Sequence, residues 1–220
     1  MSTPRPLPAA RSPAGEPPPA LPQFGHIRRY WDPQHRTFAA KLLPGEYYVT
    51  LHGEMLCTVL GSCVSACVRD RETGIGGMNH FMLPLDRSRG ESAWAEATSA
   101  ATRYGNVAME RLINDLLKAG AQRTSLEFKL VGGGRVLAAM TDIGAGNIEF
   151  VRNYVRTEGF VVAGEDLGDV YPRKVHFYPD SGRVRVKKLL STRNDTIFAR
   201  ERSYLQRVSS LSQTGDVELF

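Results

Sequence analysis

A cysteine and a histidine seventeen residues apart, Cys63 and His80, are the pair of side chains that thiol enzymes use for nucleophilic catalysis. An imidazole beside a thiol can take its proton, and the resulting thiolate attacks a carbonyl carbon. A turn of small residues, Gly61-Ser62, leads directly into the cysteine. Gly61 would let a substrate approach the backbone closely, and neighbouring N–H groups could hold an oxyanion. We therefore expect Cys63 to be reachable by solvent and to react with thiol reagents faster than the other two cysteines.

The hairpin between Cys63 and His80 decides whether the two side chains meet. If Arg71-Glu72 is a two-residue loop, the residue numbers of paired positions sum to 143, and Cys63 lies directly opposite His80. If the loop has four residues, the sum is 145 and His80 is a diagonal neighbour of Cys63. Both registers put the side chains on one face of the sheet, whereas a slip of one residue would separate them.

Structural explanations of the same residues stay open. Free cysteines are among the most buried residue types, so we expect Cys57 and Cys67 to be small core side chains. His80 can equally be a half-buried strand histidine with a structural hydrogen bond. A metal site is disfavoured, because the spacing C-x5-C-x3-C-x12-H lacks the C-x2-C knuckle of zinc sites, and we expect no metal and no cofactor. The glycines at 132–134 lack the Lys-Ser/Thr of a phosphate loop, and we interpret them as a strand-ending turn.

The elements that must position the pair alternate between strands and helices from Gly45 onward. β-branched and aromatic residues predict the strands, and apolar residues at three-to-four spacing, such as Leu112 and Leu116, predict a long helix. A turn at Pro179-Asp180-Ser181-Gly182 predicts a hairpin near the C-terminus. The predicted strands cover residues 46–51, 57–60, 64–68, 77–83, 125–131, 161–163, 174–178 and 183–187, and the predicted helices cover 92–119 and 147–158. This is the pattern of a mixed α/β domain.

Composition limits the domain organisation and the cellular compartment. The 220 residues are 42% hydrophobic and 23% charged, which suits a globular domain, and no run is apolar enough for a membrane-spanning helix. Residues 1–22 hold eight of the thirteen prolines and are predicted to be a disordered tail. Residues 23–44 are an arm or the start of the domain, residues 45–192 the domain itself, and residues 193–220 a basic extension. Three cysteines are too few for a disulfide scaffold and indicate a reducing, cytoplasmic compartment.

Several motifs of the domain closely resemble the signature of CheD, the family of chemoreceptor glutamine deamidases. They occur in order, at matching spacings and without large gaps, between about residues 45 and 190. Independent motifs at matching spacings rarely coincide by chance. The motifs are Leu60–Cys67, Gly76–Pro84, Arg103–Met109, Ile143–Asn147, Ala163–Gly168 and Pro172–Val175.

The resemblance implies a thiol hydrolase that acts on side-chain amides of proteins. In similar proteins the cysteine attacks the amide carbon of selected glutamines in chemotaxis receptors, ammonia leaves, and water releases glutamate. Carried onto this chain, Cys63 is the nucleophile and His80 is the general base and later the acid. The family's third member is a threonine six residues before the cysteine, where this chain has Cys57. Thr58, one place later, is the third candidate, but a regular strand would turn it to the opposite face. A bulge or another orienting residue would then be required.

The resemblance also implies an α+β fold, a three-layer α/β/β sandwich, and two partners. These are the cytoplasmic domains of chemoreceptors and, in some members, a CheC-type phosphatase. Two other classes of function stay open. One is a non-catalytic adaptor that binds receptors or the phosphatase through the same groove, which the displaced threonine favours. The other is a different thiol enzyme, such as a transglutaminase or a peptidase.

The C-terminal stretch is strongly basic, with eight basic residues against two acidic ones between positions 183 and 207. It either steers the protein toward acidic receptor bundles or an anionic membrane surface, or it is a solvated strand and a charged, loosely held helix. Nucleic-acid binding is not expected, because aromatic residues between the charges are few. The basic residues are Arg183, Arg185, Lys187, Lys188, Arg193, Arg200, Arg202 and Arg207.

Overall fold

The computed structural model of the chain describes residues 16–83, 91–136, 141–190 and 195–211. Most of the predicted proline-rich tail, residues 1–15, lies outside these ranges. The strands are β1 (Arg28–Asp32), β2 (Thr37–Lys41), β3 (Tyr47–Thr50), β4 (Met55–Leu60), β5 (Val64–Asp70), β6 (Gly76–Asn79), β7 (Leu126–Gly132), β8 (Val161–Leu167), β9 (Arg173–Tyr178) and β10 (Arg183–Lys188). The helices are α1 (Glu91–Lys118), α2 (Thr141–Thr157) and α3 (Asp195–Leu211).

Two five-stranded sheets and a helical layer are stacked on one another. The first sheet has the strand order β1-β2-β4-β9-β10, and the second has the order β3-β6-β5-β7-β8. Side chains of β5 are buried on both faces, whereas those of β9 alternate between buried and more exposed positions. The second sheet is therefore the middle layer. Helices α1 and α2 pack on it, and it shares one hydrophobic core with the first sheet. This arrangement confirms the α+β sandwich that the resemblance implies.

The hairpin between Cys63 and His80 has a four-residue loop. Strands β5 and β6 pair antiparallel with positions that sum to 145, and the same sum continues in the bridge between Val64 and Phe81. The four-residue alternative is confirmed, and the two-residue alternative is wrong. Both candidate residues lie just beyond the paired strands, because β5 begins at Val64 and β6 ends at Asn79, earlier than predicted.

Two segments outside the predicted residues 45–192 contribute elements to the structure. Residues 23–44, whose pattern did not decide between an arm and the start of the domain, supply β1 and β2 at one edge of the first sheet. Strand β1 reads Arg-Arg-Tyr-Trp-Asp and has no fully buried side chain, so its sequence lacks the alternation of a half-buried strand. Residues 193–220 supply α3. No helix in the described ranges is long and apolar enough to cross a lipid bilayer.

Helix α2 begins at Thr141, six residues earlier than predicted. Two glycines in its first turns, Gly144 and Gly146, lower helix propensity and conceal this start in the sequence. Packing requires the first of them, because a Cβ on Gly144 would lie 2.7 Å from the carbonyl oxygen of Gly133. This close approach brings α2 against the loop after β7 and places Asn147 beside the turn that carries the cysteine.

Candidate active site

His80 is held by a threonine from the other sheet. Thr58 lies on β4, and its Oγ1 is 2.7 Å from Nδ1 of His80. The same hydroxyl donates its only hydrogen to the carbonyl oxygen of Leu42 at 2.9 Å, so it accepts the hydrogen bond from His80. Nδ1 therefore carries the imidazole proton, and Nε2 is left as the basic nitrogen.

The position of Thr58 requires no irregularity in its strand. Strand β4 pairs with β9 in an unbroken register, so its side chains alternate regularly between the two faces. Thr58 faces the imidazole, while the Sγ of Cys57 lies 3.5 Å from the hydroxyl oxygen of Tyr30. Neither solution foreseen from the sequence, a bulge or a different orienting residue, is found here. The structure brings Thr58, His80 and Cys63 together.

The turn formed by Gly61, Ser62 and Cys63 has all three of its carbonyl oxygens bound by the scaffold behind it. The donors are, in that order, the N–H of Gly134 at 2.8 Å, the side-chain amide of Asn147 at 2.8 Å and the N–H of Gly133 at 2.7 Å. The triple glycine thus ends β7 in a turn, as predicted, and that turn supports Cys63. Since the carbonyl groups are held on one side, the N–H groups are directed to the other.

Those N–H groups converge on the carboxylate of Glu201, a residue of α3. Gly61 donates to Oε1 at 2.7 Å and Cys63 donates to the same oxygen at 3.4 Å. Ser62 donates to Oε2 twice, from its N–H at 2.9 Å and from its hydroxyl at 2.8 Å. A Cβ on Gly61 would lie 2.6 Å from Oε2, so the approach needs glycine. Backbone donors that converge in this way can stabilise the oxyanion of a tetrahedral intermediate.

Burial disfavours the charged forms of both candidate groups in this conformation. Cys63 is 0% exposed, and burial, together with the charge of Glu201 and a hydrogen bond to it, raises the pKa of the thiol well above its usual range. Burial, together with the charge of Arg200, lowers the pKa of His80 to about 3. The sulfur, an imidazole nitrogen and a carboxylate oxygen lie within 4.8 Å of one another. Nε2 of His80 has no hydrogen-bond partner among the described residues, so it is available as a base.

Solvent does not reach Cys63, contrary to the expectation from the sequence. Helix α3 lies over the turn, where Glu201 is 2% exposed and Tyr204 is also buried. The basic extension is therefore part of the surroundings of the site. The prediction for the other two cysteines is confirmed, because Cys57 and Cys67 are both buried free thiols.

Cys63, His80 and Glu201 also form the one group of possible metal ligands found among the described residues. A sulfur, an imidazole nitrogen and a carboxylate oxygen are a donor set that zinc accepts. Both oxygens of Glu201 already accept hydrogen bonds, however, and the raised pKa of Cys63 favours a thiol, whereas a metal requires the thiolate. The residues therefore fit nucleophilic and acid–base chemistry better than a resident ion.

Sequence reasoning missed the roles of two side chains at this site. Asn147 was noted only within a motif. Its side-chain amide nitrogen donates a hydrogen bond to the carbonyl of Ser62, and its oxygen accepts one from the N–H of Leu83, both at 2.8 Å. Glu201 was noted only as one of two acidic residues in a basic stretch. A local signal for it exists, because Glu201 shares a helix face with Tyr204 at i,i+3 spacing.

Comparison with known proteins gives one family. The family model described as "CheD chemotactic sensory transduction" matches residues 82–188. A probable chemoreceptor glutamine deamidase CheD of Halorhodospira halophila is 61% identical over 92% of this chain and 94% of its own. Proteins with the same name from Hydrogenovibrio crunogenus and Hahella chejuensis are 53% and 49% identical, over 86% and 93% of this chain and 97% and 96% of their own.

Proposed function

The chain belongs to the CheD family, and we propose that it does what its relatives are named for, converting glutamine side chains of chemoreceptors into glutamate. In this proposal Cys63 is the nucleophile, His80 is the general base and acid, and Thr58 orients His80. One observation carries the assignment of roles. The contact with Thr58 places the imidazole proton on Nδ1, and it leaves the basic Nε2 in the same buried cluster as the thiol.

Acylation begins when Nε2 of His80 takes the thiol proton and Sγ of Cys63 bonds to the amide carbon. The π electrons of the amide move to its oxygen, which the N–H groups of the turn bind. When the intermediate collapses, the carbon–nitrogen bond breaks. The nitrogen takes the proton from His80 and leaves as ammonia, and a thioester remains.

Hydrolysis of the thioester uses the same groups in the same order. A water molecule gives a proton to Nε2 of His80 while its oxygen bonds to the thioester carbon. Collapse breaks the carbon–sulfur bond, and the sulfur of Cys63 takes the proton back. Each cycle therefore consumes one amide and one water and yields one glutamate and one ammonia, and the resting thiol is restored.

The adaptor alternative loses the feature that favoured it. A threonine that did not reach His80 would have left the base disoriented, but Thr58 contacts His80 directly. A CheC-type phosphatase as a second partner stays a prediction. We propose the cytoplasm as the compartment, because the nucleophile must be a free thiol and the three cysteines are free.

Conversion of a receptor fragment tests this function. The purified full chain is mixed with the cytoplasmic fragment of a chemoreceptor, ammonia release is followed, and mass spectrometry identifies glutamine-to-glutamate conversion. We expect Cys63→Ala to abolish conversion, whereas Cys67→Ala, which removes another buried thiol, should retain it. Equal rates in wild type and Cys63→Ala would refute the proposal. Binding without conversion would support the adaptor, and an added amine or a cut chain would identify another thiol enzyme.

A further inference from the structure

We infer that α3 is an intramolecular ligand of the catalytic groove, the space beside the turn of Gly61, Ser62 and Cys63 that Glu201 and Tyr204 fill. In this position α3 presents Glu201 where the glutamate product lies, and it must leave before a receptor helix enters. The inference rests on the proposed function, because a product site exists only if the groove deamidates glutamine. It assigns the groove an occupant from this chain.

The donors around Glu201 match a product better than a substrate. Both carboxylate oxygens accept hydrogen bonds from backbone N–H groups, Oε1 from Gly61 and Oε2 from Ser62. A glutamine side chain has one oxygen and one NH2 group, so one of those N–H donors would face another donor. The turn therefore binds the acid form of this side chain in preference to the amide form. Glu201 occupies it as a reaction product would.

A buried glutamate is energetically costly if its only function is to cover a thiol. Burying an ionised carboxylate is costly unless it is hydrogen-bonded, and an apolar residue would close the site without that cost. The compensation here comes from the turn of Gly61, Ser62 and Cys63, the same backbone donors that we assign to the oxyanion. The carboxylate of Glu201 therefore matches the N–H donors of the turn, which an apolar side chain would leave without partners.

A second side chain fixes the direction of α3 in the groove. Tyr204 lies three residues after Glu201, its hydroxyl is hydrogen-bonded to that of Tyr104 on α1, and its ring lies against Gly45. A Cβ on Gly45 would lie 2.7 Å from that ring, so the space is shaped for a large side chain. Residues three apart on a helix share a face. The groove thus accepts a helix that inserts one carboxyl or carboxamide side chain and, one turn later, a large one.

Helix α3 is placed so that it can leave the groove. It does not pack lengthwise on any other helix or strand of the described residues. Its outer face carries exposed Arg200 and Arg202, and its release would uncover Tyr204 and the partly buried Leu205. While it is bound, Glu201 helps to keep the pKa of Cys63 high. Departure of α3 therefore opens the groove and removes a charge that opposes the thiolate.

Self-deamidation is the most direct test, because it occurs only if the side chain at position 201 lies beside Cys63. In Glu201→Gln the new amide enters the groove of its own chain, although less tightly than the carboxylate, and we expect the enzyme to convert it to the acid. Mass spectrometry of the peptide that contains position 201 would follow the conversion. The first-order rate should not depend on protein concentration, and conversion should vanish when Cys63→Ala is added. A variant that deamidates the receptor fragment but leaves its own amide intact would overturn the inference.

Access to Cys63 gives a readout that does not require activity. In Glu201→Ala we expect alkylation of Cys63 by iodoacetamide to rise roughly tenfold, which corresponds to a groove that is open about a tenth of the time in the wild type. KM for the receptor fragment should fall by a similar factor with little change in kcat. Buried Cys57 and Cys67 should stay slow and so report an intact fold, and Arg202→Gln is the matched exposed control.

The outcomes separate this inference from the proposed function. Unchanged alkylation and KM in Glu201→Ala, beside an active wild type, would overturn the role of α3 and leave the deamidase intact. Failure of the deamidase itself would look different. Receptor conversion would then be absent from the wild type and every variant, even though Cys63 became more reactive in Glu201→Ala.

Discussion

Replacing Thr58 by valine tests how His80 is oriented. Valine keeps the shape of threonine but has no hydroxyl, so Nδ1 of His80 and the carbonyl oxygen of Leu42 both lose a partner. The imidazole proton can then move to Nε2, and a protonated Nε2 cannot accept the proton of Cys63. We expect kcat to fall while KM changes little, because Thr58 is buried behind the imidazole.

The size of the effect follows from the two hydrogen bonds. A hydrogen bond between neutral groups contributes about 1 kcal/mol net, and a factor of ten in rate corresponds to about 1.4 kcal/mol. Loss of the bond to His80 should therefore lower kcat about five- to tenfold. The loss of one hydrogen bond at each of these two buried polar groups should also lower the free energy of unfolding, by about 2 kcal/mol. Rates must accordingly be measured well below the Tm of the variant.

Two neighbouring substitutions serve as controls in the same glutamine-conversion assay. Thr58→Ser keeps the hydroxyl and should retain most of the wild-type rate. Cys57→Ala changes the position where the sequence comparison expected the threonine, and it should be as active as the wild type because Cys57 points toward Tyr30. A folded Thr58→Val variant with wild-type kcat would refute the orienting role. A Thr58→Ser variant as slow as Thr58→Val would show that the methyl packing matters and the hydroxyl does not.

Two further predictions follow from buried polar groups. Asn147→Ala leaves the carbonyl of Ser62 and the N–H of Leu83 without their partner, so we expect kcat to fall roughly tenfold and unfolding in urea to need about 2–3 kcal/mol less. Exposed Asn153→Ala on the same helix is the control, and equal losses in both would contradict a positioning role. Acid should destabilise the fold, because the pKa of His80 is about 3 in the folded state and 6.5 when exposed. The unfolded chain binds more protons between these values, so stability is fully present above pH 6.5 and falls by about 1.4 kcal/mol per pH unit toward pH 3. Urea unfolding from pH 7 to pH 5 measures this slope, which should decrease in His80→Gln. An unchanged slope in that variant would assign it to other groups such as His176, whose pKa burial lowers to about 4.

The sequence predicted the pairing of Cys63 with His80 because that pairing is local. A short hairpin connects the two residues, and either loop length leaves them on one face. The turn residues Gly61 and Ser62 were likewise recognisable from their size. The side of β4 that Thr58 faces was not predictable, because this strand is almost completely buried on both faces. Without alternation between polar and apolar positions, the inner face cannot be identified from the sequence.

The packing of α3 over the site was harder to predict than the site itself. Glu201 is 138 to 140 residues away from the N–H groups it binds. The i,i+3 spacing of Glu201 and Tyr204 marks a shared helix face, but it does not tell whether that face is buried or solvated. Similarly, Asn147 is recognisable as functional only once Gly144 has brought α2 against the loop after β7. Such contacts depend on tertiary packing and leave little local pattern.

The three residues of the proposed triad come from different parts of the sandwich. Thr58 belongs to the first sheet, His80 follows a strand of the second, and Cys63 lies in the crossover between them. A partly folded chain in which the sheets have not yet docked has a thiol without an oriented base. A slip of one strand residue, about 3.3 Å, would have the same effect with both sheets intact. The proposed triad therefore assembles only when the two sheets are docked in register, and deamidation by this chain requires that docking.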